Sequence, residues 1–429
     1  MSMAAWCARS SSESRYDRGK RRPRRRGSRL LLPFPDLLEN SSMPTRTLLL
    51  ATLSFAMSIC QARDSVAEVY SVYFGTYTSG GVSSSRGIYR SLFDDERGSL
   101  SEPELVAETV NPSFLAIHPS GKYLYAVNEV VEKGGWRGNG GVSAFAIKDG
   151  GQLELIQRRA SLGGAPCHAN VDATGKHLLI ANYVGGNVVV FPILGEEGLG
   201  EPSCVIEHEG SSVDPQRQRQ PHAHSINLSG DNRFAYVADL GIDQIRIYRF
   251  DETSGVLAPA EPSLVKVTPG GGPRHFAIHP SGQFAFTNHE LTAQVTSFRR
   301  DPASGELTPV VTLPTLPEDF DGRRSSAECL VHPGGRFLYV SNRGHDSIAV
   351  FRITPPTGEI ERIEIVSTGG AEPRNFLIDP SGKWLLAANQ NSDKVVVFEI
   401  DATEGRLRST GRAVGVGRPV CIRMFPLGD

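Results

Sequence analysis

The chain has 429 residues and a formal net charge of −2, with 45 Lys and Arg against 47 Asp and Glu. Its 45 Gly and 28 Pro argue against helix bundles and coiled coils, because each Gly or Pro inside a helix costs about 1–3 kcal/mol. A hydrophobic content of 39% also argues against a collagen-like or disordered chain. The composition therefore favours many short strands joined by tight turns.

The positive charge is concentrated at the N-terminus. Residues 1–62 carry 11 Lys and Arg and four Asp and Glu, which leaves 34 basic and 43 acidic residues, a net charge of −9, in residues 63–429. An acidic body of this kind is unsuited to nucleic acid, because phosphate contacts need clustered Lys and Arg. The basic run 21–26 alone is compatible with a nucleic-acid arm, but the segment that follows it favours export.

Residues 43–62 have the pattern of a secretory signal peptide. Met43 is followed by a short basic start, the 12 uncharged residues 48–59, and small residues before Arg63. An apolar stretch of this length is too short to span a bilayer, which needs about 20 residues. We expect initiation at Met43, cleavage near Ala62 and an exported, periplasmic protein without stable membrane insertion; without use of the signal it would be cytoplasmic.

A motif of two strands joined by a Gly-containing turn recurs along residues 63–429. Its clearest copy, residues 112–128, reads Pro-Ser-Phe-Leu-Ala-Ile-His-Pro-Ser-Gly-Lys-Tyr-Leu-Tyr-Ala-Val-Asn. The turn returns at intervals of 46 to 56 residues, a period that indicates a propeller or a solenoid. The seven turn positions are Pro119, Ala173, Ser229, Pro280, Pro333, Pro380 and Pro426.

Each repeat contains four predicted strands, of which the alternating third strand can be counted seven times, beginning at Ile88. The last copy ends after a first strand at 420–424, whereas a strand of the second type at 69–77 precedes the first full repeat. We therefore predict an all-β, seven-bladed β-propeller of four-stranded blades as a single domain over residues 63–429. Its N-terminal strand completes the last blade and closes the ring, which removes open sheet edges.

The predicted topology places polar residues at one end of the central channel. The first strand of each blade lines the channel and the second runs antiparallel to it, so the start of one and the end of the other meet at the same face. Arginine there indicates a small anionic ligand, and His and Glu supply candidate acid–base groups. The residues predicted at this mouth are His168, His222, His224, Arg274, His289, Arg374, Arg418, Glu129, Glu290 and Glu328.

Residues that recur from blade to blade are predicted to be structural. The Asn at the ends of second strands caps turns, and His118, His279 and His332 precede the turn between the first two strands. His177, His208 and His345 fall on outer segments, where we expect them to be solvated. The cysteines are predicted to be small buried apolar residues, because no C-x-x-C pair or metal-ligand spacing is present.

Several motifs resemble the lactonase family of seven-bladed propellers, which includes the propeller type of 6-phosphogluconolactonase and the fungal 3-carboxy-cis,cis-muconate lactonizing enzyme. The resemblance covers residues 69–429. The motifs are Tyr-Phe-Gly-Thr-Tyr-Thr at 73–78, Pro-His-Ala-His at 221–224, Gly-Gly-Pro-Arg-His at 271–275, Asn-His-Glu at 288–290 and Glu-Pro-Arg-Asn-Phe at 372–376.

The resemblance implies a lactone hydrolase that uses neither a metal nor another cofactor. The site positions of the family fall on His224 or His222, Arg274, Glu290 and Arg374. In the implied mechanism Glu290 or His224 takes a proton from the water that attacks the ring carbonyl, and Arg274 stabilises the oxyanion. Arg374, together with a His, holds a phosphate or carboxylate of the substrate. The remaining predicted substrate-binding residues are His222, His168, His289 and Arg418.

Two alternatives stay open. The same groups suit a muconate-type lactonizing cycloisomerase, which protonates an unsaturated diacid while its carboxylate closes a ring. The chain also fits an exported, non-catalytic propeller that binds a partner. A phosphorylated cytosolic substrate does not suit an exported protein, so the resemblance leaves the physiological lactone open. We expect a small anionic lactone or carboxylate as substrate and a monomer or weak oligomer.

Overall fold

The computed structural model describes residues 68–79, 85–131 and 140–427. The predicted leader, with initiation at Met43 and cleavage near Ala62, lies outside these ranges. Within them, no helix has both the length and the apolar character needed to cross a bilayer.

The first half of the described chain forms the first four blades, each an antiparallel sheet. In the first blade the outermost strand is split into two pieces, both of which pair with the strand before them. Numbered in chain order, the strands are β1 (Val69–Thr76), β2 (Gly87–Asp94), β3 (Ser99–Leu100), β4 (Glu104–Glu108), β5 (Pro112–Ile117), β6 (Tyr123–Asn128), β7 (Gly141–Ile147), β8 (Leu153–Ala160), β9 (Pro166–Val171), β10 (His177–Asn182), β11 (Asn187–Pro192), β12 (Cys204–Glu207), β13 (Ala223–Leu228), β14 (Phe234–Asp239), β15 (Gln244–Asp251) and β16 (Val256–Lys266).

The second half forms three more four-stranded sheets and one last strand. Three short 3₁₀ helices, Asp149–Gly151, Gly195–Glu197 and Gln390–Ser392, lie between strands. The strands are β17 (Pro273–Ile278), β18 (Phe284–His289), β19 (Gln294–Arg300), β20 (Leu307–Pro314), β21 (Ser325–Val331), β22 (Phe337–Arg343), β23 (Ser347–Thr354), β24 (Glu359–Ser367), β25 (Pro373–Ile378), β26 (Trp384–Asn389), β27 (Lys394–Ile400), β28 (Leu407–Gly415) and β29 (Pro419–Pro426).

The ring closes between the two ends of the chain. β29 pairs antiparallel with β1, from Tyr70 opposite Pro426 to Thr76 opposite Pro419. Each inner strand contacts the inner strand of the next blade all the way round, including β29 with β5. The predicted seven-bladed propeller and its closure by the N-terminal strand are confirmed.

Neighbouring blades cover both faces of the inner and second strands. Every residue of β10, β14 and β26 is buried, which is why these strands are almost continuously apolar rather than alternating. In the outer strand β16, by contrast, only Leu257 and Ala260 are buried. The hydrophobic core is therefore a set of layers between blades, with the channel at their centre.

Three histidines connect adjacent blades, as the repeat predicts for structural residues. His118 Nε2 lies 2.8 Å from the Gly175 carbonyl oxygen and His279 Nε2 lies 2.7 Å from that of Gly335. His332 makes the same kind of contact with the following blade. At Gly175, where φ is +72°, a Cβ atom would come within 2.4 Å of the His118 ring, so the turn requires glycine.

His177 and His208 are buried, so the expectation that they are solvated is wrong. His177 is the first residue of β10, and its ring packs at 5.6 Å, edge to face, against Phe250 of the next blade. His208 Nδ1 lies 2.6 Å from Asp239 Oδ2, and its Nε2 lies 3.0 Å from the Tyr248 hydroxyl. The outer segments of one blade are covered by the next, which the sequence of a single blade does not show.

The strand registers also explain the place of His289. Pro273 at the start of β17 lies opposite His289, just as Pro112 at the start of β5 lies opposite Asn128. His289 thus occupies the position held elsewhere by Asn128, Asn182, Asp239, Asn342 and Asn389.

The His289 side chain is fully buried and turned toward the third strand. Its Nε2 lies 2.9 Å from the Thr296 hydroxyl, and its Nδ1 is buried without a hydrogen-bond partner. Burial lowers the pKa of His289 to about 4, so the ring is neutral at neutral pH. His289 therefore does not lie at the mouth, where its predicted role in substrate binding would require it to be.

We expect His289→Asn to reduce the sensitivity of the fold to mild acid. Between pH 6.5 and about 4, His289 is protonated in the unfolded chain but neutral in the folded chain. The free energy of unfolding therefore falls as pH falls through this window. At pH 5 the loss from this residue is about 2 kcal/mol. Thermal midpoints of wild type and variant at pH 7 and pH 5 test this, and an identical drop in both proteins contradicts it.

Candidate active site

The strand registers define a ring of equivalent residues at one end of the channel. In each blade one register pair, such as Pro112 opposite Asn128, marks this end, and the ring comprises the residue that follows each member of the pair. In β21, which begins one residue earlier, the pair is Ser326 opposite Asn342. We call these residues the mouth ring. They are Ser113, Cys167, His224, Arg274, Ala327, Arg374 and Val420 from inner strands, and Tyr77, Glu129, Tyr183, Leu240, Glu290, Arg343 and Gln390 from second strands.

The Glu290 carboxylate lies at the centre of three guanidinium groups. Its Oε2 accepts a hydrogen bond of 3.0 Å from Arg274 Nε and lies 3.0 Å from Arg343 Nη2. Its Oε1 accepts a bond of 2.7 Å from Arg217 Nη2. Three segments far apart in sequence therefore converge on one buried carboxylate.

This surrounding charge determines the protonation of Glu290. Burial by itself raises its pKa, but Arg343, Arg274 and Arg217 together hold the pKa of Glu290 well below its usual range. Glu290 is consequently an ionised carboxylate and a weak proton acceptor at neutral pH.

Arg274 keeps one hydrogen-bonding nitrogen for a ligand. Its Nε is bonded to Glu290 and its Nη1 donates to the Ala327 carbonyl oxygen at 2.7 Å. Within the described ranges, Nη2 has no hydrogen-bond partner. Burial, Arg343 and Arg374 lower the pKa of Arg274 to about 10, which leaves the guanidinium protonated at neutral pH.

Arg374 is the mouth-ring cation with the fewest protein partners. Its guanidinium carbon lies 5.3 Å from the centre of the Tyr77 ring, and that of Arg418 lies 5.4 Å from the same ring. The Tyr77 hydroxyl donates to Glu129 Oε2 at 2.8 Å. Among the residues that the structure describes, none forms a hydrogen bond or an ion pair with the Arg374 guanidinium. Its five N–H donors are therefore available to an anionic ligand.

His224 is the histidine of the Pro-His-Ala-His motif that lies against Glu290. Its Nε2 is 3.9 Å from Glu290 Oε2, and its Nδ1 is 3.8 Å from Cys167 Sγ. Burial, Arg274 and His275 all lower the pKa of His224 well below its usual value. The imidazole is therefore neutral at neutral pH and able to accept a proton.

His222 contacts the site through Tyr183. The two rings stack at 4.4 Å with an angle of 15° between their planes, and His222 Nδ1 lies 2.8 Å from the Tyr183 carbonyl oxygen. The Tyr183 hydroxyl accepts a hydrogen bond of 3.1 Å from Arg217. His222 is thus at the edge of the cluster, whereas His224 is inside it.

His168 and Glu328 lie one residue deeper in the channel than the mouth ring. His168 packs against Phe114 at 4.2 Å and against His275 at 5.5 Å. Glu328 Oε1 is 2.6 Å from His275 Nδ1, and its other oxygen accepts a bond from Asn375. Burial and the cations around it lower the pKa of His168 well below its usual value. These two predicted residues form the floor of the mouth rather than part of it.

Several residues of the site are not among those that the sequence predicts. Arg343 and Tyr183 occupy the same register position as Glu290, so counting from the inner-strand start in every blade finds them. Tyr77 follows β1 at the matching place in the first blade. Arg217 belongs to the loop between β12 and β13, which has no counterpart in the repeat, and no sequence signal points to it.

The thiols give the site no nucleophile or metal ligand set. Cys167, Cys329 and Cys421 are buried, as predicted, and Cys204 is partly buried. Burial raises the pKa of Cys167 far above its usual value, so it is a protonated thiol beside His224. In the described parts of the chain, no group of three or more His, Cys, Asp or Glu side chains is arranged to hold a metal ion.

Comparison with known sequences identifies relatives over most of the chain. A family model described as lactonase, 7-bladed beta-propeller, matches residues 71–424. A 6-phosphogluconolactonase of Bacillus subtilis is 37% identical over 357 residues, which are 83% of this chain and 98% of that protein. A 6-phosphogluconolactonase of Formosa agariphila is 31% identical and covers 68% of this chain and 81% of its own.

Solved structures show the same similarity. The periplasmic gluconolactonase of Pseudomonas aeruginosa has a TM-score of 0.77 and 34% identity, covering 83% of this chain and 99% of that one. A protein from Lactobacillus plantarum has a TM-score of 0.76 and 31% identity, with 83% and 99% covered. With the fold, the family match and these relatives in agreement, the chain belongs to the lactonase family of seven-bladed β-propellers.

Proposed function

We propose that the protein hydrolyses a sugar lactone that carries an acidic group, of the 6-phosphogluconolactone class, with His224 as the general base. The observation that carries this proposal is the neutral His224 beside a carboxylate that three arginines keep ionised. The relatives named 6-phosphogluconolactonase and gluconolactonase support the hydrolase and the sugar-lactone class.

The contacts of Glu290 favour His224 over Glu290 as the base. A carboxylate with hydrogen bonds or ion pairs to Arg217, Arg274 and Arg343 has little affinity for a further proton. Nearby arginines also lower the pKa of His224, but none of them forms a hydrogen bond with its ring in the described chain, so a ring nitrogen stays available to water. The 3.9 Å between its Nε2 and Glu290 lets the carboxylate stabilise the imidazolium once it forms. Glu290 therefore acts by electrostatics and His224 by proton transfer.

The free nitrogen of Arg274 suits the oxyanion. Two bonds, to Glu290 and to the Ala327 carbonyl oxygen, fix the guanidinium plane and leave Nη2 as a donor. A donor fixed before the reaction stabilises the charge that develops on the carbonyl oxygen without first reorienting, and removal of one such donor typically costs about 3–4 kcal/mol.

Arg374 suits the acidic group of the substrate. It has no ion-pair partner in the described chain and lies over Tyr77, a half-buried position in which a guanidinium binds carboxylate or phosphate in a bidentate manner. Arg418 lies over the same ring, but it also donates to the Ser79 carbonyl oxygen at 2.8 Å.

The reaction then proceeds in two steps, and the proton that His224 takes up in the first is returned in the second. His224 takes a proton from water as its oxygen bonds to the lactone carbonyl carbon, and Arg274 stabilises the resulting oxyanion. The tetrahedral intermediate expels the ring oxygen, which takes the proton back from the His224 imidazolium. The product is the open-chain hydroxy acid, and the neutral histidine is restored.

Replacement of His224 tests the assignment of the base. We expect His224→Asn to lower kcat by about 10²- to 10⁴-fold, because a general base contributes that much. Because the pKa of His224 is depressed, kcat/KM of the wild type should stay constant as pH falls through 6.5 and decline only at lower pH. The variant should lose this acid limb of the profile.

The Glu290→Gln variant is the matched comparison. It should retain the acid limb, shifted to lower pH because the imidazolium loses its counter-ion, and it should also unfold more easily, because three arginines lose their shared carboxylate. An acid limb that disappears in Glu290→Gln but persists in His224→Asn would assign the base to Glu290.

Replacement of Arg374 tests the acidic group of the substrate. We expect Arg374→Met to raise KM for 6-phosphogluconolactone by roughly 10- to 100-fold, because a hydrogen bond to a charged group contributes about 1.5–3 kcal/mol. KM for unphosphorylated gluconolactone should change little, and Arg418→Met should have a smaller effect on both. Equal losses with both lactones contradict the assignment, and turnover of a muconate derivative but of neither sugar lactone would favour the cycloisomerase.

We also propose that the mature protein is exported and begins near Arg63. The support is the signal-like pattern of residues 43–62 and a relative that is named as periplasmic. Expression of the full chain in a Gram-negative host, followed by fractionation and N-terminal sequencing, should give a periplasmic protein starting at Arg63. An uncleaved protein in the cytoplasm would contradict export and would favour the phosphorylated substrate.

A further inference from the structure

A second polar pocket lies at the end of the channel opposite the mouth. It is a cavity of about 330 Å³. The fifth residue of an inner strand lies about 10 Å further along the strand than the mouth-ring residue, at about 3.3 Å per residue. The side chains that line it include His168, Asn170, Asn227 and Arg423, together with the turn residues His118 and Phe425. We call it the far pocket.

Register shows that the polar residues of this pocket are grouped. Counted from the inner-strand member of the register pair that marks the mouth, the fifth residues of the seven inner strands are Ala116, Asn170, Asn227, Ala277, Leu330, Leu377 and Arg423. The polar members come from β29, β9 and β13, and the one strand between them, β5, contributes the small Ala116. The far pocket therefore has its polar groups on neighbouring strands, with space left between them by an alanine.

Arg423 brings a cation to the far pocket and acts on the Glu328 carboxylate only at a distance. Its guanidinium carbon lies 4.3 Å from the centre of the Phe114 ring, and its Nη1 donates to the Ile422 carbonyl oxygen at 2.7 Å. In the ranges the structure describes, no carboxylate forms an ion pair with Arg423. Glu328, in the floor of the mouth, is instead bonded to His275. A half-buried guanidinium in this state favours an anion beside it.

The other polar groups of the pocket also offer donors. The Asn170 amide forms no hydrogen bond with the described residues, and Asn227 uses one N–H on the Ser225 hydroxyl at 3.2 Å. The Ile226 N–H points to His168 Nδ1 at 3.4 Å, so the neutral ring carries its proton on Nε2. A guanidinium, two amides and an imidazole N–H thus face one cavity.

We propose that the far pocket is a second ligand site, which binds a small oxyanion, a phosphate or a carboxylate, through Arg423, Asn170, Asn227 and His168. The donors match the oxygen atoms of such an anion, and the volume suits a molecule of that size. His168 is shared between the floor of the mouth and the far pocket, and the other three residues lie on the opposite side of that floor from Arg274 and Arg374.

Titration of the full-length protein with inorganic phosphate tests this site. The Arg374→Met background removes the mouth cation assigned to the acidic group of the substrate, and isothermal titration calorimetry should still detect one phosphate per chain. Adding Arg423→Met should weaken that binding by at least 10-fold. Adding Arg408→Met instead, at an exposed arginine of β28, should leave it unchanged. Gluconate as a second probe distinguishes a carboxylate from a phosphate preference.

A second variant tests the site even if the Arg423→Met protein does not fold. Asn170→Asp keeps Arg423 in place and supplies it with a carboxylate, so the fold should be kept while phosphate binding is lost. The proposal is overturned if the Arg374→Met protein binds no phosphate and no gluconate. It is also overturned if Arg423→Met and Asn170→Asp leave binding unchanged, or if Arg408→Met weakens it equally. Lactone turnover should be unaffected by Arg423→Met in the wild-type background.

Discussion

When β29 pairs with β1, the two ends of the chain enter one sheet and the seven inner strands become a closed ring. Because every blade repeats the same antiparallel order, all inner strands run in one direction, so seven strand starts meet at one face of the ring and seven turns meet at the other. Residues as distant in sequence as Tyr77 and Arg374 come into contact only for this reason. The site is therefore a property of the ring and of no single blade.

Within that ring, Glu290 organises the charge at the mouth. A carboxylate buried alone would be protonated, and without it the two buried guanidinium groups of Arg274 and Arg343 would repel each other and the exposed one of Arg217. Their combination leaves a charged but well-bonded cluster and two groups with spare capacity, the Arg274 Nη2 atom and the Arg374 guanidinium. This division separates the residues that hold the site together from those that meet a substrate.

Much of this could be predicted from the sequence, because the repeat carries its own register. The blade count, the ring closure and the place of Arg274, Glu290, Arg374 and His224 follow from strand starts and strand ends. The residue type of His289 suggests a site residue, although its register places it where other blades have Asn or Asp. Arg217 could not be found, because its loop has no equivalent in the repeat, and the ionisation of Glu290 depends on three cations that only the folded ring brings together.

The contact from His118 to Gly175 has a wider consequence for how such a ring changes over time. The contacting residue belongs to one blade and its acceptor to the next. Each repeat therefore supplies the donor side of one inter-blade contact and the acceptor side of another. The corresponding position is His in three blades, but Phe425 in the first, where it packs against Gly121, and Asp172 in the third, where it accepts from Asn232. Duplication or loss of a single blade would therefore bring together contact residues that do not match. This favours a constant number of blades while the mouth residues diversify.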